Sequence, residues 1–298
     1  MDAGISPPGV RLTRFRMVMR KDQLSLETVG PVNLSECGIG CLANPKNPGY
    51  QRKVAWLRQT FDEGVRLLML RDGEGRALGF LEYVPGEFAW RPVRAAGWLF
   101  VHCLWVYPRG QKIKGLGSRL LQACVEEARR QQATGVAALV SDGPFMAGKE
   151  VFLKNGFQVI DKRDRFQLLI YRLGRGPEPR FREIQDNVPV FPGLHLIYCA
   201  QCPMLPKSVA DVSEMAAAHG LNCKVTVLKN AREAQNAPSY YGVFSLLWNG
   251  RLLSDHYVST GRFKNLLTQE ILSLRGPNET AAEAYQRLLT KENLRKEK

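Results

Sequence analysis

The chain has 298 residues, 45% of them hydrophobic and 23% charged, with a formal net charge of +14. The length suits two domains better than one, and the basic balance favours anionic partners such as nucleotides, nucleic acid or an acidic surface. Nucleic acid is disfavoured, because the basic residues are scattered and no dense run alternates with aromatics. No apolar run approaches the roughly 20 residues of a membrane helix, and Met1 to Pro8 lacks a secretory pattern. Seven scattered cysteines argue for a reducing, cytoplasmic setting rather than a disulfide framework.

Residues 1–20, with Pro7-Pro8 and a run of arginines, read as a loosely ordered leader. A first domain is expected over 21–173. It opens with a strand within Lys21 to Val32 and a loop broken by Pro45 and Pro48. A helix over Gln51 to Gly64 carries Val54, Leu57, Phe61 and Val65 on one face. Strands follow at Arg66–Leu70, Ala77–Val84 and Gly97–Val106, the first two joined by the hairpin signal Asp72-Gly73. A helix over Gly117–Gln132, a short strand at Val136–Val140, a short helix at Gly148–Lys154 and a strand at Phe166–Tyr171 complete it.

Residues 174–192 hold two glycines and four prolines and read as a linker. A second domain over 193–276 begins with strand Leu194–Tyr198 and the turn Cys199-Ala200-Gln201-Cys202-Pro203. It continues with a helix over Lys207–His219, a strand at Cys223–Leu228 and a short helix at Ala231–Asn236. A hairpin then forms about Asn249-Gly250, a strong type I′ signal, and a helix over Gly261–Leu274 closes the unit. Residues 277–298 read as a charged helix.

The segment Lys112-Ile113-Lys114-Gly115-Leu116-Gly117-Ser118 follows the most apolar strand and opens a helix. Glycine lets the backbone approach a diphosphate closely and take positive φ. The first N–H groups of the helix and its positive dipole end then face the phosphates, with Arg109, Lys112 and Lys114 adding charge. This order of elements, with Asn155-Gly156-Phe157 after the short helix, resembles the GNAT acetyltransferase family over about Leu24 to Tyr171. The family loop reads Arg/Gln-x-x-Gly-x-Gly/Ala, and Lys112 replaces its first residue.

The resemblance implies an α/β (α+β) fold in which a mixed sheet is flanked by helices. It implies acetyl-CoA as co-substrate and transfer of acetyl to the amine of a small molecule or peptide by direct attack in a ternary complex. It implicates Leu104, Trp105 and Val106 in holding the pantetheine arm, and Gln111, Lys112, Gly115, Gly117 and Ser118 in holding the pyrophosphate. The family's acid tyrosine aligns with Phe152, which cannot donate a proton, so a non-catalytic acyl-CoA sensor stays open. No metal ligand set is expected, and a homodimer stays open.

Glu82, inside the apolar run Gly79 to Val84, is the first candidate base, since a carboxylate there is costly to bury without a purpose. His102 is the second, its ordinary pKa lying near neutrality. Cys103 is the candidate acyl-carrying nucleophile, and strand alternation should put it on the opposite face from His102. The aromatic and polar segments Gly49 to Trp56 and Glu82 to Arg91 are expected to shape the acceptor pocket.

The second domain resembles a smaller thioredoxin-like α/β domain, on its strand, Cys-x-x-Cys and helix order. Cys199 and Cys202 are therefore candidates for redox exchange or soft-metal binding, or the domain serves for docking. No proline stands near Gly242-Val243, where a thioredoxin would place one. The pairing of the two domains resembles the YoaP-type bacterial acetyltransferases, which carry no settled substrate.

Overall fold

A computed structural model describes residues 24–107, 114–184 and 191–271. The expected leader, the C-terminal charged helix, Gln111 and Lys112 lie outside the described residues.

The first unit is a mixed seven-stranded sheet in the order β1-β2-β3-β5-β6-β8-β7. Its strands are β1 (Ser25–Val29), β2 (Arg66–Arg71), β3 (Ala77–Pro85), β5 (Leu99–Val106), β6 (Gly135–Ser141), β7 (Gln158–Arg163) and β8 (Phe166–Arg172). The β7 strand had no counterpart among the expected elements; it is an edge strand, largely polar and half-exposed. Helix α1 (Leu34–Cys37) precedes α2 (Pro48–Thr60), which starts earlier than the apolar spacing suggests. Pro48 sits at its first turn, and Asn47 Oδ1 accepts from Gly49 N–H at 2.8 Å, which is the geometry of an N-cap.

One face of the sheet is covered by α3 (Leu116–Arg130), whose Leu120, Leu121, Cys124, Val125 and Ala128 are buried at helical spacing. Short helix α4 (Glu150–Leu153) follows β6. On the other face lie Trp56 and Leu57 of α2.

Within the expected linker, β9 (Arg180–Phe181) pairs antiparallel with β4 (Val93–Arg94). Trp98 Nε1 donates to the Pro177 carbonyl at 2.8 Å. This part of the connection is thus packed on the first unit.

The second unit is a four-stranded sheet in the order β11-β10-β12-β13. Strand β10 (Leu194–Tyr198) runs parallel to β11 (Cys223–Val227) and antiparallel to β12 (Phe244–Trp248), which pairs antiparallel with β13 (Arg251–Ser254). Helix α5 (Leu205–Ala218) makes the parallel crossover, α6 (Ala231–Gln235) precedes β12, and α7 (Thr260–Leu266) follows β13. Asn249 and Gly250 have φ of 52° and 80°, as a type I′ turn demands.

The two units share one core. A single buried apolar cluster runs from Trp56, Phe80 and Phe100 in the first to Leu196, Tyr198, Val243 and Phe244 in the second. The second unit therefore sits on the sheet face that α3 leaves free. Arg165, in the β7–β8 turn, reinforces the contact with two bonds to the Asp255 carboxylate, at 3.0 and 2.8 Å.

Candidate active site

Strands β5 and β6 pair in parallel only from Leu99–Val136 to Val101–Ala138. Beyond Val101 the ladder to β6 stops, while β5 continues to pair with β3 on its other side. The sheet therefore splits next to the segment holding Leu104, Trp105 and Val106. Leu104 faces the α3 core, and the Trp105 side chain is half exposed.

The split leads to the start of α3. Gly115 caps this helix with φ 85°, and among the described residues no side chain caps it. The first backbone bond runs from Arg119 N–H to the Gly115 carbonyl. The N–H groups of Leu116, Gly117 and Ser118 thus lie ahead of the helical ladder. A Cβ at Gly117 would stand 3.1 Å from Val151 Cγ2, so the glycine also lets α3 approach α4. Ser118 Oγ accepts from Asn155 Nδ2 at 2.8 Å, which ties the helix start to the turn after α4. An uncapped helix start beside a split sheet fits a diphosphate on a long, extended arm.

On the opposite face of β5, a bulge lies between the Glu82–Cys103 and Tyr83–Val101 pairs, with His102 as the extra residue. Alternation is broken there, which corrects the expectation that His102 and Cys103 face opposite sides. His102 Nδ1 lies 3.3 Å from Glu82 Oε1. The Cys103 thiol feels the Glu82 and Lys53 charges and packs against the cluster shared by both units. Val101 and Leu104 face α3.

Glu82 is fully buried and paired with the buried Lys53 ammonium. That ammonium also lies 4.1 Å from the centre of the Trp56 ring. Burial alone would raise the Glu82 pKa, but Lys53 and His102 outweigh it and hold the carboxyl at about 2. His102 Nε2 accepts from the Trp90 backbone N–H at 2.9 Å. The neutral ring therefore carries its proton on Nδ1, facing Glu82. Burial pushes the His102 pKa down to about 4 despite Glu82. With Nε2 occupied and Nδ1 protonated, His102 orients Glu82 rather than standing free as a second base.

Arg91, also buried, donates to the carbonyls of Trp90 at 2.7 Å and His102 at 3.3 Å. It lies 5.0 Å from the centre of the Tyr241 ring of the second unit. Trp56 and Trp90 are core residues, packed edge to face with centroids 5.3 Å apart. Phe152 is likewise buried and stacks edge to face on Phe157 at 5.2 Å.

The Cys199–Cys202 turn is pressed onto this face. A Cβ at Gly49 of α2 would fall 2.0 Å from the Pro203 carbonyl oxygen. Arg52 donates to the Tyr198 hydroxyl at 3.1 Å. Both cysteines are free thiols. Burial pushes Cys199 up to about 12, raises Cys202, and takes Cys103 to about 12. The side chain between them, Gln201, is buried and donates through Nε2 to Glu82 Oε1 at 2.8 Å. The sequence placed Lys53 only within the segment expected to shape the acceptor pocket, and Gln201 only within the Cys-x-x-Cys turn, with no role for either side chain. Their type is unremarkable, and their partners lie 29 and 119 residues away. Among the described residues, no group of three or more His, Cys, Asp or Glu side chains is arranged to hold a metal ion. No helix among them is long and apolar enough to cross a membrane.

The mixed sheet thus splits before a glycine-capped helix and carries a buried carboxylate on its other face. Residues 40–157 match the family model described as Acetyltransferase (GNAT) family, and this part of the chain is a GNAT acetyltransferase domain. Acetyl-CoA is the co-substrate that fits such a domain. The chain is 28% identical over 242 residues to the "Uncharacterized N-acetyltransferase YoaP" of Bacillus subtilis, covering 79% of this chain and 95% of that one. It is 34% identical over 91 residues to the L-methionine sulfoximine/L-methionine sulfone acetyltransferase of Pseudomonas aeruginosa, covering 30% of this chain and 50% of that one. Among solved structures, the acetyltransferase yncA of Salmonella typhimurium, with its cofactor acetyl-CoA, superposes with a TM-score of 0.38 at 15% identity. That match covers 53% of this chain and 99% of the other.

Proposed function

We propose that the chain transfers acetyl from acetyl-CoA to the amine of a small molecule or peptide, by direct attack within a ternary complex. Glu82 is the residue that takes the amine proton. The observation that carries this reading is the ionised Glu82 carboxylate, buried beside the β5 bulge, next to where β5 parts from β6. Leu104, Trp105 and Val106 border the split, and Gly115, Gly117 and Ser118 begin the helix beyond it. The thioester would lie along the first group and its diphosphate against the second.

In the transfer, the neutral amine nitrogen attacks the thioester carbon, the C–N bond forms and the C–S bond breaks. The amine proton passes to Glu82, and the departing thiolate is reprotonated from Glu82 or water. Phe152 is buried and has no hydroxyl, so it supplies no proton here.

We read the second unit as thioredoxin-like, on its strand order and the position of its Cys-x-x-Cys turn. Its role is docking and completion of the acceptor side rather than thiol exchange. A reactive dithiol needs an accessible thiolate favoured by its surroundings, whereas burial pushes both Cys199 and Cys202 upward.

The test is direct. The purified full chain is incubated with acetyl-CoA and a panel of primary amines that includes L-methionine sulfone, and released CoA and acetylated product are quantified by mass spectrometry. Amine-dependent product from the wild type, with at least a hundredfold loss of kcat in Glu82→Gln, is expected for a lost general base. A thermal shift with acetyl-CoA but no product with any amine would favour the sensor reading, which Phe152 supports. Glu82→Gln at wild-type rate would remove Glu82 from the chemistry.

A further inference from the structure

The Glu82 carboxylate is gripped from three directions. Lys53 reaches it from α2 and His102 from the β5 bulge. The third contact, a hydrogen bond donated by Gln201, comes from a different unit of the fold. Its amide orientation is fixed by its neighbours: Nε2 faces the carboxylate, while Oε1 accepts from Arg91 at 3.4 Å. Reversed, the amide would set N–H against a guanidinium and C=O against a carboxylate, with both contacts repulsive.

The turn bearing Gln201 is seated by contacts on both sides of the site. On one side Gly49 admits the Pro203 carbonyl. On the other, Gln235 Nε2 donates to the carbonyls of Glu87 and Ala89, at 2.8 and 3.1 Å. Gly242 packs on Trp90, Arg91 and Pro92, where a Cβ would come within 2.9 Å of backbone. The same segment supplies the Trp90 N–H to His102 and the Arg91 guanidinium to Gln201. The second unit thus touches Glu82 directly through Gln201, and indirectly by holding the segment that orients His102.

We propose that Gln201 is a positioning residue of the transfer site, so that the site is composite: the sheet of the first unit supplies the carboxylate, and the Cys199–Cys202 turn supplies the amide that fixes it. The proposal rests on the reading of Glu82 as proton acceptor. A donor to the carboxylate restricts its rotation and keeps one oxygen in a single direction, which is what a near-attack geometry requires. It also favours the charged form.

The experiment is a double-mutant cycle on the full chain, comparing wild type, Gln201→Ala, Glu82→Gln and the double variant. Two rates are read: acetyl transfer to the best amine of the panel, and acetyl-CoA hydrolysis, in which water is the acceptor. Gln201→Ala is expected to lower kcat about tenfold with the KM for acetyl-CoA unchanged. In the Glu82→Gln background the same change should cost nothing further.

Gln201→Met keeps the volume and removes the donor, and it replaces Gln201→Ala in the cycle if that variant melts near assay temperature. Effects that multiply across the cycle, with Glu82→Gln itself slow, would overturn the positioning role and leave the reading of Glu82 intact. Glu82→Gln at wild-type rate would overturn both.

Discussion

The buried imidazole of His102 makes a quantitative prediction about acid stability. An ordinary histidine titrates near 6.5, and burial takes His102 to about 4 in the folded chain. Between those values the unfolded chain binds a proton that the folded chain refuses, so stability falls as pH drops. The stability is fully present above pH 6.5 and is lost progressively down to pH 4. At 1.36 kcal/mol per pKa unit the whole window amounts to about 3 kcal/mol. Charged groups around the ring act in both directions: Glu82 on β3 pulls the pKa up, while Lys53 on α2 and Arg91 push it down. The assay is urea unfolding of wild type and His102→Gln at several pH values from 7.5 to 5. Above pH 5 Glu82 stays ionised in folded and unfolded chain alike and drops out of the comparison. His195 is also lowered by burial, but it is present in both proteins and cancels in the difference. The wild-type curve should fall more steeply than the variant, the difference in slope approaching 1.36 kcal/mol per pH unit below pH 6. Parallel curves would mean that His102 titrates in the fold as it does in the unfolded chain, and a wild type that gained stability relative to the variant as pH fell would mean a protonated ring, against the tautomer drawn from the Trp90 N–H.

Two further perturbations probe the same site. Lys53→Met leaves the Glu82 carboxylate buried without its cation. It should lower stability by about 3–5 kcal/mol, and adding Glu82→Leu should restore most of the loss; calorimetry of the single and double variants checks both. Gly49→Ala places a Cβ 2.0 Å from the Pro203 carbonyl. It should cost about 1–3 kcal/mol and raise hydrogen exchange around residues 199–203 without touching residues 135–141 of β6; uniform exchange across both segments would show that this contact does not seat the turn.

The sequence announced the parts of this structure that depend on local pattern. Apolar runs bounded by turn residues marked β2, β3 and β5, the 3.6-residue spacing of Leu120, Leu121 and Cys124 marked α3, and Asn249-Gly250 marked the last hairpin. Glu82 stood out because a carboxylate in an apolar strand is expensive to bury. The β5 bulge left no trace, since a one-residue register shift is set by the partner strand and not by the residues that shift. Lys53 read as one more polar residue near an aromatic helix. Gln201 was overshadowed by the two thiols beside it. Strand β7, Gln158 to Arg163, is a half-exposed edge strand; its charged half, Asp161-Lys162-Arg163, is the kind of sequence that edges tolerate and that pattern reading assigns to loops.

The position of Gln201 changes what the Cys-x-x-Cys turn can mean. A dithiol that exchanges electrons must be reachable and must favour its thiolate. Here the turn faces inward, both thiols are pushed upward by burial, and the residue between them makes a bond to a charged group in another unit. Burial of Cys199 and the upward push on both thiols work against redox exchange at this turn, although Cys202 keeps partial exposure, and the same turn delivers an amide to Glu82. An amide suits this place because it bridges opposite charges, donating to the carboxylate while accepting from Arg91. A second carboxylate would repel Glu82, and an ammonium would add a cation beside Arg91 and Lys53. The contact that docks the second unit is therefore also the contact that finishes the charge arrangement of the first, and a change that loosens one should disturb the other.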